Sequence, residues 1–349
     1  MVTINGRKIG DNETCYIVAE LSGNHGGSLE KMLAMISMAK AAGADAIKIQ
    51  TYRGDTITLD CDREDFAIPT SSPWADYKTL YNLYNHAHTP WEWHEALFAE
   101  AARLGMTLFS SPFDATAVGL LEQLGCHAYK IASPEINDIP LIAEVARTGK
   151  PIILSTGLAS GEDIELALNT LINNGCREYA LLKCTTEYPA PVEEANLLTI
   201  PDMKRRFGCP AGLSDHTMGI TVPVVATALG ANIIEKHFID SRDTETVDSF
   251  FSLDEQEFGE MVASVRAAEM SLGRVCYEVT DSAKKNLRGR KSIYVAADIE
   301  AGELFTPQNL KVVRPGMGLH PKYYAALLGK RAKVSLRKGD RMELGNAEA

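Results

Sequence analysis

Apolar and polar positions along this chain follow two alternating rhythms. Eight short apolar segments recur: YIVAEL (16–21), AIKIQTY (46–52), TLFSSPF (107–113), AYKIASPE (128–135), PIILSTG (151–157), EYALLKC (178–184), PAGLSDH (210–216) and NIIEKHF (232–238). Short runs of this kind, bounded by turn residues, read as strands buried on both faces. Between them lie stretches with helical spacing, among them SLEKMLAMISMAKAAG (28–43), TPWEWHEALFAEAARLG (89–105), DIPLIAEVARTG (138–149) and GEDIELALNTLINNG (161–175). These four end on glycine, which readily takes the left-handed conformation that closes a helix. Eight such βα units predict an α/β fold, a closed parallel (β/α)8 TIM barrel. An open doubly wound sheet needs no eighth unit and usually carries a G-x-G-x-x-G loop after its first strand, which ELSGNHGG does not match. One step breaks the rhythm: 61 residues separate the starts of the second and third segments, and an insertion near 55–88, rich in Asp, Pro, Trp and Tyr, fills the gap.

After Gly273 the pattern changes. A polar stretch, EVTDSAKKNLRGRKS (278–292), precedes short strand-like segments and glycine-containing turns. The expected division is a catalytic barrel over 1–277, a linker over 278–290 and a small domain over 291–349. So small a domain buries little core of its own and is expected to dock on a neighbour.

Charge sharpens this division. The net charge is −11, yet residues 284–349 hold 14 Lys or Arg against 6 Asp or Glu, a balance of +8 that leaves −19 on the first 283. The tail has few aromatics and holds strand-like and helical segments, so docking on an acidic surface accounts for its charge better than nucleic-acid binding. No apolar run approaches the ~20 residues of a membrane span, and the N-terminus lacks the basic head and apolar stretch of a signal peptide. The seven cysteines form no C-x-x-C pair, which fits a protein of the reducing cytoplasm.

The predicted strands end in polar or ionisable residues: Glu20 with Asn24 and His25, Lys48 with Gln50, Ser110 with Ser111, Lys130 with Ser133 and Glu135, Ser155 with Thr156, Lys183 with Thr185, Ser214 with Asp215 and His216, and Glu235 with Lys236 and His237. Barrel enzymes keep their chemistry at this end. His216 and His237, at the mouths of adjacent strands, are the candidate metal ligands; two imidazoles leave positions open for water and substrate oxygens. Glu235 and Asp248 are candidate oxygen ligands or outer partners. Lys48 and Lys130 suit a phosphate or carboxylate, with a Schiff-base lysine as the rival reading. Ser111, Ser133, Ser155 and Thr156 offer further donors, and His25 either contacts substrate or caps its loop.

Together these segments resemble the sialic acid synthase family, which condenses phosphoenolpyruvate with an amino-sugar aldehyde. The resemblance rests on AELSGNHGGSLE, GADAIKIQTY, TLFSSPF, YKIASPEIND, LSTGLAS, LLKCTTEYPAP, GLSDHTMG and IIEKHF, and it covers nearly the whole chain. The tail, through GRKSIYVAADIEAGELFTPQNL and VRPGMG, resembles that family's antifreeze-like (SAF) domain. The resemblance implies a C–C bond-forming transferase that makes a nine-carbon keto-acid sugar for bacterial surface glycans or flagellin modification. It implies His216 and His237 as ligands of a divalent ion, manganese first and magnesium or cobalt next, with phosphoenolpyruvate as substrate. Glu20 becomes a substrate-contacting carboxylate, and Lys48 and Lys130 become phosphoenolpyruvate contacts aided by Ser111, Ser133, Ser155 and Ser214. Phe113, Glu135 and Tyr188 line the site, Glu235 polarises substrate oxygens and Asp248 contacts the sugar or a water. Arg314 resembles an arginine that the small domain inserts into the other subunit's site, implying a domain-swapped homodimer. Where N-acetylneuraminate synthases tend to carry a G-P-D-H-type loop, this chain has Thr246-Val247-Asp248-Ser249, a departure that disfavours N-acetylmannosamine as the sugar.

Overall fold

The computed structural model of the protein describes residues 1–243 and 245–348, which form two compact units, Met1–Gly273 and Arg274–Ala349. In the first, eight parallel strands close into a barrel: β1 (Tyr16–Glu20), β2 (Ala46–Thr51), β3 (Thr107–Pro112), β4 (Tyr129–Ile131), β5 (Ile152–Ser155), β6 (Tyr179–Cys184), β7 (Ala211–Asp215) and β8 (Ile233–His237). The register that pairs Ile233 with Tyr16 and His237 with Glu20 closes the ring. Each strand falls inside its predicted segment. The largest trim is at 128–135, where the strand stops at Ile131 and a 3-10 turn begins at Pro134, because proline cannot donate to a sheet ladder.

Alternate strand residues face opposite ways, and both ways are buried. Ile47, Ile49, Ile152, Leu154, Ile234 and their neighbours pack against surrounding helices in one continuous core. The helices start on side-chain caps: Ser28 accepts from Lys31 N, Asp114 from Ala117 N, and Ser160 forms a capping box with Asp163. Such caps satisfy amides that the first turn leaves unpaired. Gly212, on β7, is required by close approach: a Cβ there would collide with the Ile233 carbonyl of β8. A hairpin, Val2–Ile4 paired with Arg7–Ile9, adds three buried side chains to the core. Its turn residue Asn5 donates to Thr107 Oγ1 at 3.2 Å, at the first residue of β3, so the hairpin covers the N-terminal end of the barrel.

The insertion after β2 folds as a short helix (Gly54–Ile57), two 3-10 turns and a helix over Leu80–Ala87. Trp74, in its middle, donates from Nε1 to the Val247 carbonyl at 3.0 Å, tying the insertion to the loop after β8.

In the second unit, residues 274–291 are exposed apart from half-buried Ala283 and carry two short turns of helix. Beyond them Ser292–Val295 pairs antiparallel with Leu310–Val313 over a small core of Ile293, Val295, Ile299, Phe305, Leu310, Leu327 and Met342. Among the described residues, no helix is long and apolar enough to cross a membrane.

Candidate active site

Strand parity decides which polar residues meet. Glu235 and His237 face into the barrel while Lys236 between them faces out; Ser214 and His216 face in while Asp215 faces out. The inward set gathers around one cavity of about 620 Å³ at the C-terminal ends of the strands. Lys48, Phe113, Lys130, Ser133, Glu135, Ser155, Tyr188, Ser214, His216, Glu235, His237 and Asp248 all line it. Glu20 and Ser111 are buried just behind that lining; Glu20 pairs with Lys48, and Ser111 shares its register position with Gln50.

The floor is a four-membered charge cluster. Lys48 pairs with Glu20 and lies 3.7 Å from Glu235 Oε1, while Lys130 Nζ lies 3.8 Å from the same oxygen. Ser214 donates to that oxygen at 3.0 Å, and the Ser22 amide donates to Glu20 at 3.0 Å. Burial opposes charge on all four groups. Lys48 nevertheless stays charged, because two carboxylates outweigh burial and raise it. Glu235 is held low against burial by Lys130 and Lys48. Glu20 is pushed up to about 7 by burial, since Glu235 competes for the ammonium that would otherwise hold it down. Lys130 is lowered by burial, only partly offset by Glu235. Burial also raises Glu135 to about 7 and Asp248 to about 6. Carboxyls titrating near neutrality can give and take protons in one catalytic cycle.

The cluster is under-satisfied. Among the described residues, Ser111 Oγ, Ser155 Oγ, Glu135 Oε2, Glu235 Oε2 and His237 Nδ1 are buried without a hydrogen-bond partner. Buried polar atoms are nearly always paired, so several orphans around one cavity mark a place built to be completed by a ligand. Ser133 Oγ accepts from the Gly157 amide at 3.0 Å, and a Cβ on Gly157 would collide with Thr186 Oγ1 and come within 2.9 Å of Ser133 Oγ.

The two histidines suit a metal ion by the chemistry of their donors. His216 Nδ1 sits 2.9 Å from the Thr185 carbonyl, so Nδ1–H donates there and Nε2 keeps its lone pair, the tautomer usual for a metal-ligating imidazole. His237 is held neutral, well below its ordinary value, chiefly by burial and also by the nearby charge of Lys48. The ring centroids are 5.3 Å apart, and Asp248 Oδ2 lies 3.7 Å from His237 Nδ1 while accepting from the Gly23 amide at 3.2 Å. Among the described residues, no group of three or more His, Cys, Asp or Glu is arranged around one ion position. An ion here therefore depends on two imidazoles plus oxygens from water or substrate.

Several strand-end residues do not join the site. Ser110 bonds Thr51 Oγ1 and the Ile49 carbonyl outside the barrel. Thr156 donates to the Leu182 carbonyl, and Lys183 to the Cys184 carbonyl at 2.7 Å. Lys236 pairs with Asp215 at 2.6 Å and also donates to the Thr217 carbonyl. His25 caps its loop: Nδ1 accepts from the Gly27 amide, and Nε2 meets the Ala87 carbonyl at 3.2 Å. Arg314 lies in the second unit, exposed, directly after the strand Leu310–Val313.

Sequence reading missed Cys184 and two aromatic residues, Tyr52 and Phe251, that pack against the site residues. Cys184 lines the cavity with Sγ 3.8 Å from His216 Nδ1. Alternation along β6, with Lys183 facing out, would have placed it. The Tyr188 ring lies tilted 4.4 Å from His216, Phe251 sits edge-on 4.7 Å from His237, and Tyr52 meets Phe113 at 5.1 Å.

A charged, metal-compatible cavity at the C-terminal end of a closed parallel barrel, followed by a small β-rich unit, defines a class that comparison with known proteins makes specific. The chain matches the NeuB family over residues 35–277 and a SAF domain over residues 290–340, and it belongs to the NeuB family. It is 45% identical to the pseudaminic acid synthase of Campylobacter jejuni over 95% of this chain and 96% of that protein. It is 42% identical to the pseudaminic acid synthase of Helicobacter pylori over 92% and 94%. The crystal structure of the N-acetylneuraminic acid synthetase of Leptospira borgpetersenii in complex with citrate superposes with a TM-score of 0.71 at 31% identity, covering 83% of this chain and 95% of that one.

Proposed function

We propose that this chain condenses phosphoenolpyruvate, 2,4-diacetamido-2,4,6-trideoxy-L-altrose and water to pseudaminic acid and phosphate. The observation that carries the reading is the inward charge cluster and histidine pair in a chain 45% identical, nearly end to end, to a pseudaminic acid synthase. Lys48 and Lys130 offset the carboxylate and phosphate of phosphoenolpyruvate, and Ser133 and Ser155 offer hydroxyls beside them. Lys48, kept charged by its carboxylates, is not a nucleophile, which favours anion binding over a Schiff base at that position.

C3 of phosphoenolpyruvate forms a bond to the sugar's aldehyde carbon, whose oxygen takes a proton. Water adds to C2, giving its proton to a floor carboxylate. The resulting tetrahedral centre expels phosphate by C–O cleavage, its hydroxyl proton passing to the departing phosphate, and leaves the C2 ketone. Glu20 and Glu235 flank Lys48 and are the groups placed to take the water's proton; Glu135, near neutral pKa, is placed to supply one. His216 and His237 would hold a divalent ion, manganese first and magnesium or cobalt next, which supplies Lewis-acid polarisation of the aldehyde oxygen. Arg314 would act in a homodimer on the partner's site. Mixing Arg314→Ala with Lys48→Ala chains tests this, since verified heterodimers should regain turnover and failure to do so would reject it.

The direct test is a mass-spectrometric product assay with phosphoenolpyruvate, manganese and equal amounts of three sugars: the trideoxy-L-altrose derivative, its legionaminic D-manno counterpart and N-acetylmannosamine. The expected result is product from the altrose derivative. Preference for the D-manno sugar would make the chain a legionaminate synthase, and preference for N-acetylmannosamine an N-acetylneuraminate synthase.

A further inference from the structure

The cavity has two chemically different halves. The strand ends supply its charges, whereas the insertion after β2 supplies an apolar wall: Ile57, Ile68, Leu80, Leu83, Tyr84 and Ala87 all line the same space. Among the described residues that line the cavity from this insertion, none is ionisable as an acid or a base of ordinary strength except the phenol of Tyr84, which burial raises further. Ile68, Leu83 and Ala87 are nearly shut from solvent, while Ile57 and Leu80, also in the lining, are half-buried. Tyr52, edge-on to both Tyr84 and Phe113, joins wall to floor, and the Trp74 bond to Val247 holds the wall over the mouth. Phosphoenolpyruvate is an anion and has no use for such a wall, so the wall belongs to the second substrate.

We propose that this wall is the subsite for the sugar's alkyl groups, its acetamido methyls and its deoxygenated terminal carbon, and that Ile57 and Leu80 help select a deoxygenated diacetamido sugar over polyhydroxylated N-acetylmannosamine. The proposal rests on the pseudaminic acid reading and deepens it. A hydroxyl placed against Ile57, Ile68, Leu80, Leu83 and Ala87 loses water without gaining a partner, because these side chains carry no hydrogen-bonding group. An apolar pocket distinguishes methyl from hydroxyl only moderately, roughly ten-fold to a hundred-fold. The wall is therefore expected to grade sugars rather than exclude them.

The test compares kcat/KM for the trideoxy sugar and N-acetylmannosamine in the intact protein and in Ile57→Thr and Leu80→Gln, with Ile57→Val as the conservative variant. The polar variants should lower the ratio of the two by about ten-fold, Ile57→Val should preserve it, and the KM for phosphoenolpyruvate should stay within about two-fold. Unchanged ratios in folded polar variants would overturn the proposal while leaving the pseudaminic reading intact. Independently of any variant, the unaltered protein should use the 6-hydroxy counterpart of the trideoxy sugar about ten-fold less well. Equal use of the two would overturn the proposal, and an unaltered protein that prefers N-acetylmannosamine would overturn both it and the reading beneath it.

Discussion

Lys236 and Lys130 are both fully buried lysines on barrel strands, and both stand near a carboxylate, yet their surroundings differ in kind. Outside the barrel, Lys236 pairs with Asp215 at 2.6 Å and donates to the Thr217 carbonyl, and Asp215 accepts from the amide and hydroxyl of Thr217 at 3.0 and 2.9 Å. Every charge there has partners. Inside, Lys130 reaches Glu235 only at 3.8 Å and its one hydrogen bond is to the Ile131 carbonyl at 3.3 Å; Glu235 Oε2 and the hydroxyls of Ser111 and Ser155 are unpaired among the described residues. A completed ion pair serves structure, whereas an incomplete one beside a cavity keeps capacity for a ligand. One residue of strand parity separates the two outcomes, since Glu235 and Lys236 are neighbours.

The comparison breaks most sharply on activity. Lys130→Met should lower turnover by about 10²–10³, the usual cost of one preorganised charge at a transition state, with little loss of stability, as checked by phosphate release and thermal melting. Wild-type turnover in this variant would place the anion site elsewhere. On stability the order reverses. Lys236→Met leaves Asp215 buried without its cation and should cost about 3–5 kcal/mol by denaturant unfolding. Replacing both partners together, Lys236→Met with Asp215→Leu, should recover most of that loss.

The smallest effect is the pH response of Glu135. Burial raises this carboxyl from 4.5 to about 7, so between those values the folded protein keeps a proton the unfolded chain has released. Stability from this group is then lost as pH rises through that window. Glu135→Gln should raise the melting temperature more at pH 8 than at pH 5, and an equal shift at both would show that the carboxyl is not raised.

Much of this was legible in the sequence. Eight apolar segments gave eight strands, because strands buried on both faces write themselves as continuous apolar runs. The histidine pair, the two floor lysines and Glu235 were legible because ionisable residues inside such runs are costly unless used. Parity was the overlooked signal: Ser110, Lys183, Asp215 and Lys236 lie one residue from inward neighbours and serve the outer layer, while Cys184 faces in. The apolar wall was not legible. Residues 54–88 carry no strand or helix period before Leu80, and their place over the barrel mouth is fixed by tertiary contacts such as Trp74 to Val247.

The central claim, that ligand capacity belongs to the inward, incompletely paired charges, is tested most directly by calorimetric titration of phosphoenolpyruvate into the unaltered protein, Lys130→Met and Lys183→Met. Lys183 faces out on a neighbouring part of the barrel, so its variant should bind within about two-fold of the unaltered protein, while Lys130→Met should bind at least about ten-fold more weakly. Equal affinity in Lys130→Met and the unaltered protein, or equal losses in both variants, would contradict the account.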